Sequence, residues 1–294
     1  MVGAEKTNKN VFIASLPRSG STLLGMILNQ HQECFYIGES FYWAQLNTKS
    51  EKCTCGVVDC KILEKIYKNI NNNKDILTIT KTIKSIDSEL QAKIPADNSQ
   101  IQKKYFDDIL LSCNGFNKLV DIYREVITDK SIMIDSSSNI FIAEKLSKTY
   151  NWKVIIILRD PRGIINSLKK ASIRHESEMP PDLWCQYLIN FTKYVNLISK
   201  EKSLIIKYED LCSDTTYILK NICNFLNINY SHDLLKFRQH RGHILMANRM
   251  RFGDNEDIHE DTSWKKELTE KEKKIIYNNR ELVQAYKKFG YTIK

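Results

Sequence analysis

The stretch Val11-Phe12-Ile13-Ala14-Ser15-Leu16-Pro17-Arg18-Ser19-Gly20-Ser21-Thr22 constrains this chain more than any other. The apolar run from Val11 to Leu16 reads as a buried strand that ends in a loop. Leu23, Leu24, Ile27 and Leu28 then follow at helical spacing. Strand, glycine loop and helix together open a nucleotide-binding α/β fold. The loop keeps the frame of a P-loop, G-x-x-x-x-G-K-[ST], with Ser15 at the first glycine position, Gly20 at the second and Ser21 where the Lys belongs. Its anion chemistry survives those changes. Backbone N–H groups at a helix N-terminus, backed by the helix dipole, bind negative charge. Gly20 permits a close approach, Ser19, Ser21 and Thr22 add hydroxyl donors, and Arg18 brings a cation from inside the loop. The missing Lys argues against an ATP or GTP phosphotransferase. A Ser- and Gly-containing turn that merely caps a helix is the structural alternative.

Further strands are expected at Cys34 to Ile37, Ser131 to Ile134, Lys153 to Leu158 and Ser203 to Tyr208. The continuous Val154-Ile155-Ile156-Ile157-Leu158 run fits a parallel strand covered on both faces. Strands alternating with helices predict an α/β, P-loop-like, three-layer fold: a central parallel sheet of about five strands flanked by helices. At 294 residues the chain has room for a single domain, 1–294. A mostly helical insertion or lid is expected at about 41–130, too poor in apolar residues for a core of its own. The C-terminal part is expected to be helical, apart from an irregular basic stretch from Arg238 to about Asp261.

Charge and cysteine usage narrow the partners. A formal net charge of +9 favours anionic ligands without choosing among them, and no nucleic-acid recognition motif accompanies it. No apolar run approaches the ~18 residues of a membrane span, and the N-terminal residues do not read as a signal peptide. A cytoplasmic location is therefore expected, with the eight cysteines reduced. Cys53-Thr54-Cys55-Gly56 with Cys60 invites a zinc reading, but the spacing is C-x-C-x4-C and the sequence offers no obvious fourth ligand. A structural thiol cluster or redox-sensitive lid is the favoured reading, and no metal site is expected.

Two ordered motifs carry a family resemblance. PRSGSTLL after an apolar strand resembles the 5′-phosphosulfate motif of the sulfotransferases that use 3′-phosphoadenosine-5′-phosphosulfate (PAPS). Arg159 after the fourth strand, with Ser167 in the following helix, resembles their 3′-phosphate motif. Lys207-Tyr208-Glu209-Asp210-Leu211 is similar to their strand ending in Y-E-D-L, where structural hydrogen bonding is the preferred reading. Asn248-Arg249-Met250-Arg251 with Trp264-Lys265 looks like their basic closing segment. The likeness touches 11–40, 131–170, 203–211 and 243–270, and is nearest to bacterial members and the tyrosylprotein-sulfotransferase branch.

The resemblance implies a sulfuryl group moved from PAPS to an acceptor hydroxyl, with 3′,5′-ADP as product. It implies nucleotide contacts from Pro17, Arg18, Ser19, Gly20, Ser21, Thr22, Arg159, Ser167, Arg249 and Arg251, with Arg18 acting on the bridging oxygen. The chemistry itself requires no metal, because a sulfuryl group carries less negative charge than a terminal phosphoryl group. Glu39, just past the second strand at the carboxyl end of the sheet, is the expected general base. His175, expected in an acceptor-side loop, is the runner-up base, with His31 and His243 behind it. Asp135-Ser136-Ser137-Ser138 ends its strand at the same edge, with Ser136 and Ser137 as candidate nucleotide or acceptor contacts, and a Lys common near Ser138 in related sequences is absent. The acceptor is open among carbohydrate, lipid, tyrosine and small metabolite. Phe41, Tyr42, Trp43, Met179 and Trp184 hint at an aromatic entrance. A P-loop-like small-molecule kinase and a non-catalytic nucleotide-binding protein are the alternatives; the kinase would need an acidic strand end for magnesium, for which Asp135 alone is a poor substitute.

Overall fold

A computed structural model describes residues 9–40, 52–73, 76, 106–175, 181–244 and 246–293. Its centre is a sheet of five parallel strands in the order β2-β3-β1-β4-β5. These are β1 Lys9–Ser15, β2 Cys34–Gly38, β3 Ile132–Asp135, β4 Lys153–Leu158 and β5 Ser203–Lys207. Their bounds lie within a residue or two of those expected from the apolar runs. The register of the central pairs sets Val11 against Ile134 and Ile13 against Ile155.

The apolar runs are continuous because successive side chains serve opposite faces. Phe12, Ala14, Met133, Val154, Ile156 and Leu158 enter one core, and Val11, Ile13, Ile132, Ile134, Ile155 and Ile157 enter the other. Helix α1 (Ser21–Leu28) covers the second face. Helices α2 (Lys61–Asn71), α3 (Phe106–Val126) and α4 (Ile140–Tyr150) contribute Leu63, Ile66, Phe116, Val120, Tyr123 and Leu146 to the first. The described parts of the 41–130 stretch thus feed the main core. Phe41, Tyr42 and Trp43 lie outside the described residues.

Helices α5 (Pro161–His175), α6 (Pro181–Val195), α7 (Tyr208–Ser213) and α8 (Thr215–Leu226) follow, then α9 (Trp264–Glu267), α10 (Glu270–Asn278) and α11 (Arg280–Lys287). Several helix starts follow from short polar side chains. Asn139 caps α4 by accepting from Phe141 and Ile142 N–H, and Thr269 forms a capping box with Glu272 at α10. Helix α5 runs to His175, where the sequence reading expected an acceptor-side loop. No Gly or Pro interrupts the chain between Ile164 and Met179, so nothing local stops the helix earlier. Among the described residues, no helix is long and apolar enough to cross a membrane.

Candidate active site

In a parallel sheet all carboxyl ends point to one edge, and ligands bind in the crevice outside it. Here that edge gathers the Leu16–Gly20 loop after β1, Glu39 after β2, Asp135 at the end of β3 and Arg159 after β4. The loop turns through two left-handed residues, Arg18 (φ 70°) and Gly20 (φ 95°). Gly20 is favoured for a second reason: a Cβ there would lie 2.7 Å from the Tyr208 ring. Helix α1 starts at Ser21 with no side-chain cap and no acidic residue in its first turn. The buried Ser19 hydroxyl has no hydrogen-bond partner among the described residues. Uncapped N–H groups beside an orphaned hydroxyl suit an anionic group.

The two motifs meet at Arg18. Its Nε donates to Ser167 Oγ at 2.9 Å, and its carbonyl accepts from Arg159 Nη1 at 2.6 Å. Ser167 stands on α5, which begins at Pro161, so the helix folds back over the Leu16–Gly20 loop. Arg159 is only 6% exposed and its guanidinium lies 4.4 Å from the Tyr208 ring centre. Its Nη2 also meets the Asp261 carboxylate at 3.4 Å. Burial pushes the Asp261 carboxyl up, but hydrogen bonds from Ser263 and the charges of Arg159 and Lys170 outweigh that and hold it below its ordinary value. Glu209 accepts from Asp160 N–H and from Tyr291 OH, both at 2.8 Å. The Tyr-Glu-Asp-Leu segment therefore fixes the end of β4, and its Tyr208 is a platform for Arg159 that the sequence reading did not single out.

Glu39 stands on the other flank of the loop. Gly38 before it is left-handed (φ 98°), and Glu39 N–H donates to Met246 O at 2.6 Å. Burial pushes the Glu39 carboxyl up to about 7, and nearby Asp135 adds to the rise, while Arg251 and Arg18 oppose it. Asp135 itself is fully buried and pushed up to about 6 by burial, against hydrogen bonds from Ser137 and Ser40. Two acids of raised affinity for protons thus flank the crevice. The sequence reading named Asp135 only as a poor metal ligand. The signal for its electrostatic role, a strand-end acid on the strand next to β2, needs the strand order.

The remaining candidates fall as follows. Arg251 is 6% exposed and donates to Ala247 O, while Arg249 on the same 3-10 turn, Arg249–Phe252, is exposed. Thr22 Oγ1 accepts from Asn248 N–H at 3.2 Å. Pro17 is half-buried, and Ser21 is buried in the first turn of α1. Ser136 is engaged by Tyr36 OH at 2.6 Å, and Ser137 N–H by Asp135 at 2.8 Å. His31 spends both ring nitrogens locally, Nδ1 accepting from Glu33 N–H and Nε2 meeting Asn229 O at 2.9 Å. The His175 side chain and Met179 lie outside the described residues, and Trp184 packs against Tyr187 on α6. His243 turns its Nδ1 toward Cys60 Sγ (3.2 Å) and Cys53 Sγ (3.5 Å). The fourth donor that the sequence did not reveal beside Cys53, Cys55 and Cys60 is therefore present in the fold, from a segment more than 180 residues on.

A family model described as "Sulfotransferase family" matches residues 10–232. No curated protein sequence matches the chain. Among solved structures, the sulfotransferase domain from the curacin biosynthetic pathway is 19% identical, with 99% of this chain and 100% of that one covered, at a TM-score of 0.53. The sulfotransferase domain of the Synechococcus olefin synthase is 15% identical, covering 99% and 98%, at 0.55. A sulfotransferase from Mycobacterium tuberculosis is 11% identical, covering 85% and 74%, at 0.53. At these identities the likeness speaks to the fold.

Proposed function

The chain belongs to the sulfotransferase family, and on that premise we propose that it transfers a sulfuryl group from PAPS to an acceptor hydroxyl, with Glu39 as general base. The observation that carries this reading is the meeting of two anion-binding motifs at Arg18, beside a carboxyl whose pKa is about 7. PAPS supplies the sulfuryl group and leaves as 3′,5′-ADP, as the acceptor oxygen–sulfur bond forms and the sulfur–phosphate oxygen bond breaks. The N-terminus of α1 with Pro17, Ser19, Gly20, Ser21 and Thr22 holds the 5′ end of the nucleotide. Arg159 and Ser167 hold the 3′-phosphate, for which a guanidinium fork is suited. Arg249 and Arg251 belong to the segment that closes over it.

Arg18 offsets the charge that builds on the leaving oxygen, and its present bond to Ser167 keeps it near both phosphate sites. Glu39 takes the acceptor proton. A base of pKa about 7 is partly ionised at neutral pH yet strong enough to matter. Acceptor choice is assigned to the 41–130 and 170–185 stretches, within a single domain of 1–294.

The test is ligand stabilisation followed by turnover. 3′,5′-ADP at about 100 times its Kd should stabilise the protein by ~2.7 kcal/mol, read as a higher Tm, whereas ATP should do little. Glu39→Gln should keep that shift and lose transfer by about 100-fold or more in a radiolabelled-PAPS acceptor screen. Stabilisation by ATP alone overturns the nucleotide assignment. Full turnover by Glu39→Gln overturns the base.

A further inference from the structure

We propose that Cys53, Cys55, Cys60 and His243 hold one zinc ion as a closed structural site, separate from the sulfuryl-transfer machinery. Each residue offers one donor atom, and all four donors lie within 4.8 Å of one another. His243 Nδ1 stands 3.2 Å from Cys60 Sγ and 3.5 Å from Cys53 Sγ. Zinc bonds of about 2.3 Å to sulfur and 2.0–2.1 Å to nitrogen set tetrahedral edges of roughly 3.5–3.8 Å, so small movements bring the donors into place. Three thiolates and an imidazole at a tetrahedral spacing select zinc over oxygen-loving cations. Four protein ligands leave no open position, which makes the site structural and not catalytic.

The backbone is built around the donors. Gly56 N–H closes a tight turn onto Cys53 O at 3.2 Å, with Gly56 left-handed at φ 78°. Inside that turn, Thr54 Oγ1 donates to Gly242 O at 3.1 Å and accepts from Ile244 N–H at 2.8 Å. Those two bonds clamp the residues on either side of His243, so the turn fixes the histidine it faces. Cys60 immediately precedes α2, so the helix start fixes its position. All eight cysteines are free, and a disulfide within the cluster would spend two sulfurs and leave the third beside the imidazole. An open cleft of about 1000 Å³ is lined by Cys55 and His243, which gives an ion a route from solvent. Binding would release the three thiol protons.

The site ties the 53–60 turn to the segment carrying His243. Three residues on, Met246 O accepts from Glu39 N–H. Zinc would therefore anchor the segment that borders the crevice.

Metal analysis of the full chain, produced with added zinc and dialysed free of loose ions, tests this. About one zinc per chain is expected, released in step with mercurial titration of three thiols. Cobalt should replace it and give the intense bands of a tetrahedral thiolate complex. Cys60→Ser and His243→Ala should lose the ion and melt several degrees lower, while His243→Cys and the remote Cys212→Ser keep it. A wild-type protein that takes up neither zinc nor cobalt overturns the proposal, as does zinc content unchanged in Cys60→Ser and His243→Ala. A disulfide between two of the three cysteines in the reduced-purified protein also overturns it. If a variant does not fold, the wild-type mercurial and cobalt titrations decide alone.

Discussion

Glu39 sits between an acid and two cations, and burial decides the balance. Its carboxyl and that of Asp135 bind protons more tightly in the native state than in the unfolded chain. Both groups therefore stabilise the fold at low pH, and that contribution is lost as pH rises through about 6 for Asp135 and about 7 for Glu39. Glu39→Gln removes the buried charge without changing shape. It should raise stability at pH 8 by up to about 3 kcal/mol, read from denaturant midpoints, while abolishing transfer. No gain at pH 8 would mean the burial of Glu39 costs little. In the wild type, kcat/KM should rise with pH through about 7 as Glu39 ionises, with a second influence from Asp135 below it. A profile flat across that range would sink the base assignment.

At the scale of elements, the turn between β1 and α1 does two things at once. It reverses the chain through left-handed residues, and it lets the backbone pass beneath Tyr208. Gly20→Ala meets both obstacles, a φ of 95° and a ring carbon 2.7 Å away. It should destabilise by roughly 1–3 kcal/mol and lower affinity for 3′,5′-ADP, measured by thermal melting with and without the nucleotide. A protein of unchanged Tm would show that the loop adapts easily. The turn is legible in the sequence because a glycine inside a Ser-rich loop, between a strand and a helix, marks a sharp reversal of the chain. Tyr208 is not legible in the same way. A tyrosine at a strand end is common, and its ring matters only where α7 brings it under Gly20 and Arg159. For the same reason the sequence read His175 into a loop: helix ends depend on what the next segment packs against.

At the scale of the whole molecule, one segment runs from the end of α1 across the crevice. His240 bonds Gln30, Met246 meets Glu39, Asn248 meets Thr22, and Asp261 meets Arg159. This strap places an anion on the guanidinium that we assign to the 3′-phosphate. Asp261→Asn should therefore tighten 3′,5′-ADP binding by about 3- to 10-fold, worth ~0.7–1.4 kcal/mol, with the gain shrinking at high salt. Weaker binding in calorimetry would instead make Asp261 a positioning partner for Arg159.

What the sequence determined alone is the local chemistry. Apolar runs fix strands, and a glycine in a Ser-rich turn fixes a loop, because each depends on neighbours within a few residues. The order of strands, and with it the approach of Asp135 to Glu39, was decided only in three dimensions. So was the contact of Arg18 with Ser167, and the arrival of His243 beside three cysteines. These are pairings between residues about 100 to 190 positions apart, set by how helices cross the sheet. No spacing rule along the chain encodes such distances, so the strand–loop–helix turn after β1 could be read from its residues and the fourth donor of the cysteine cluster could not.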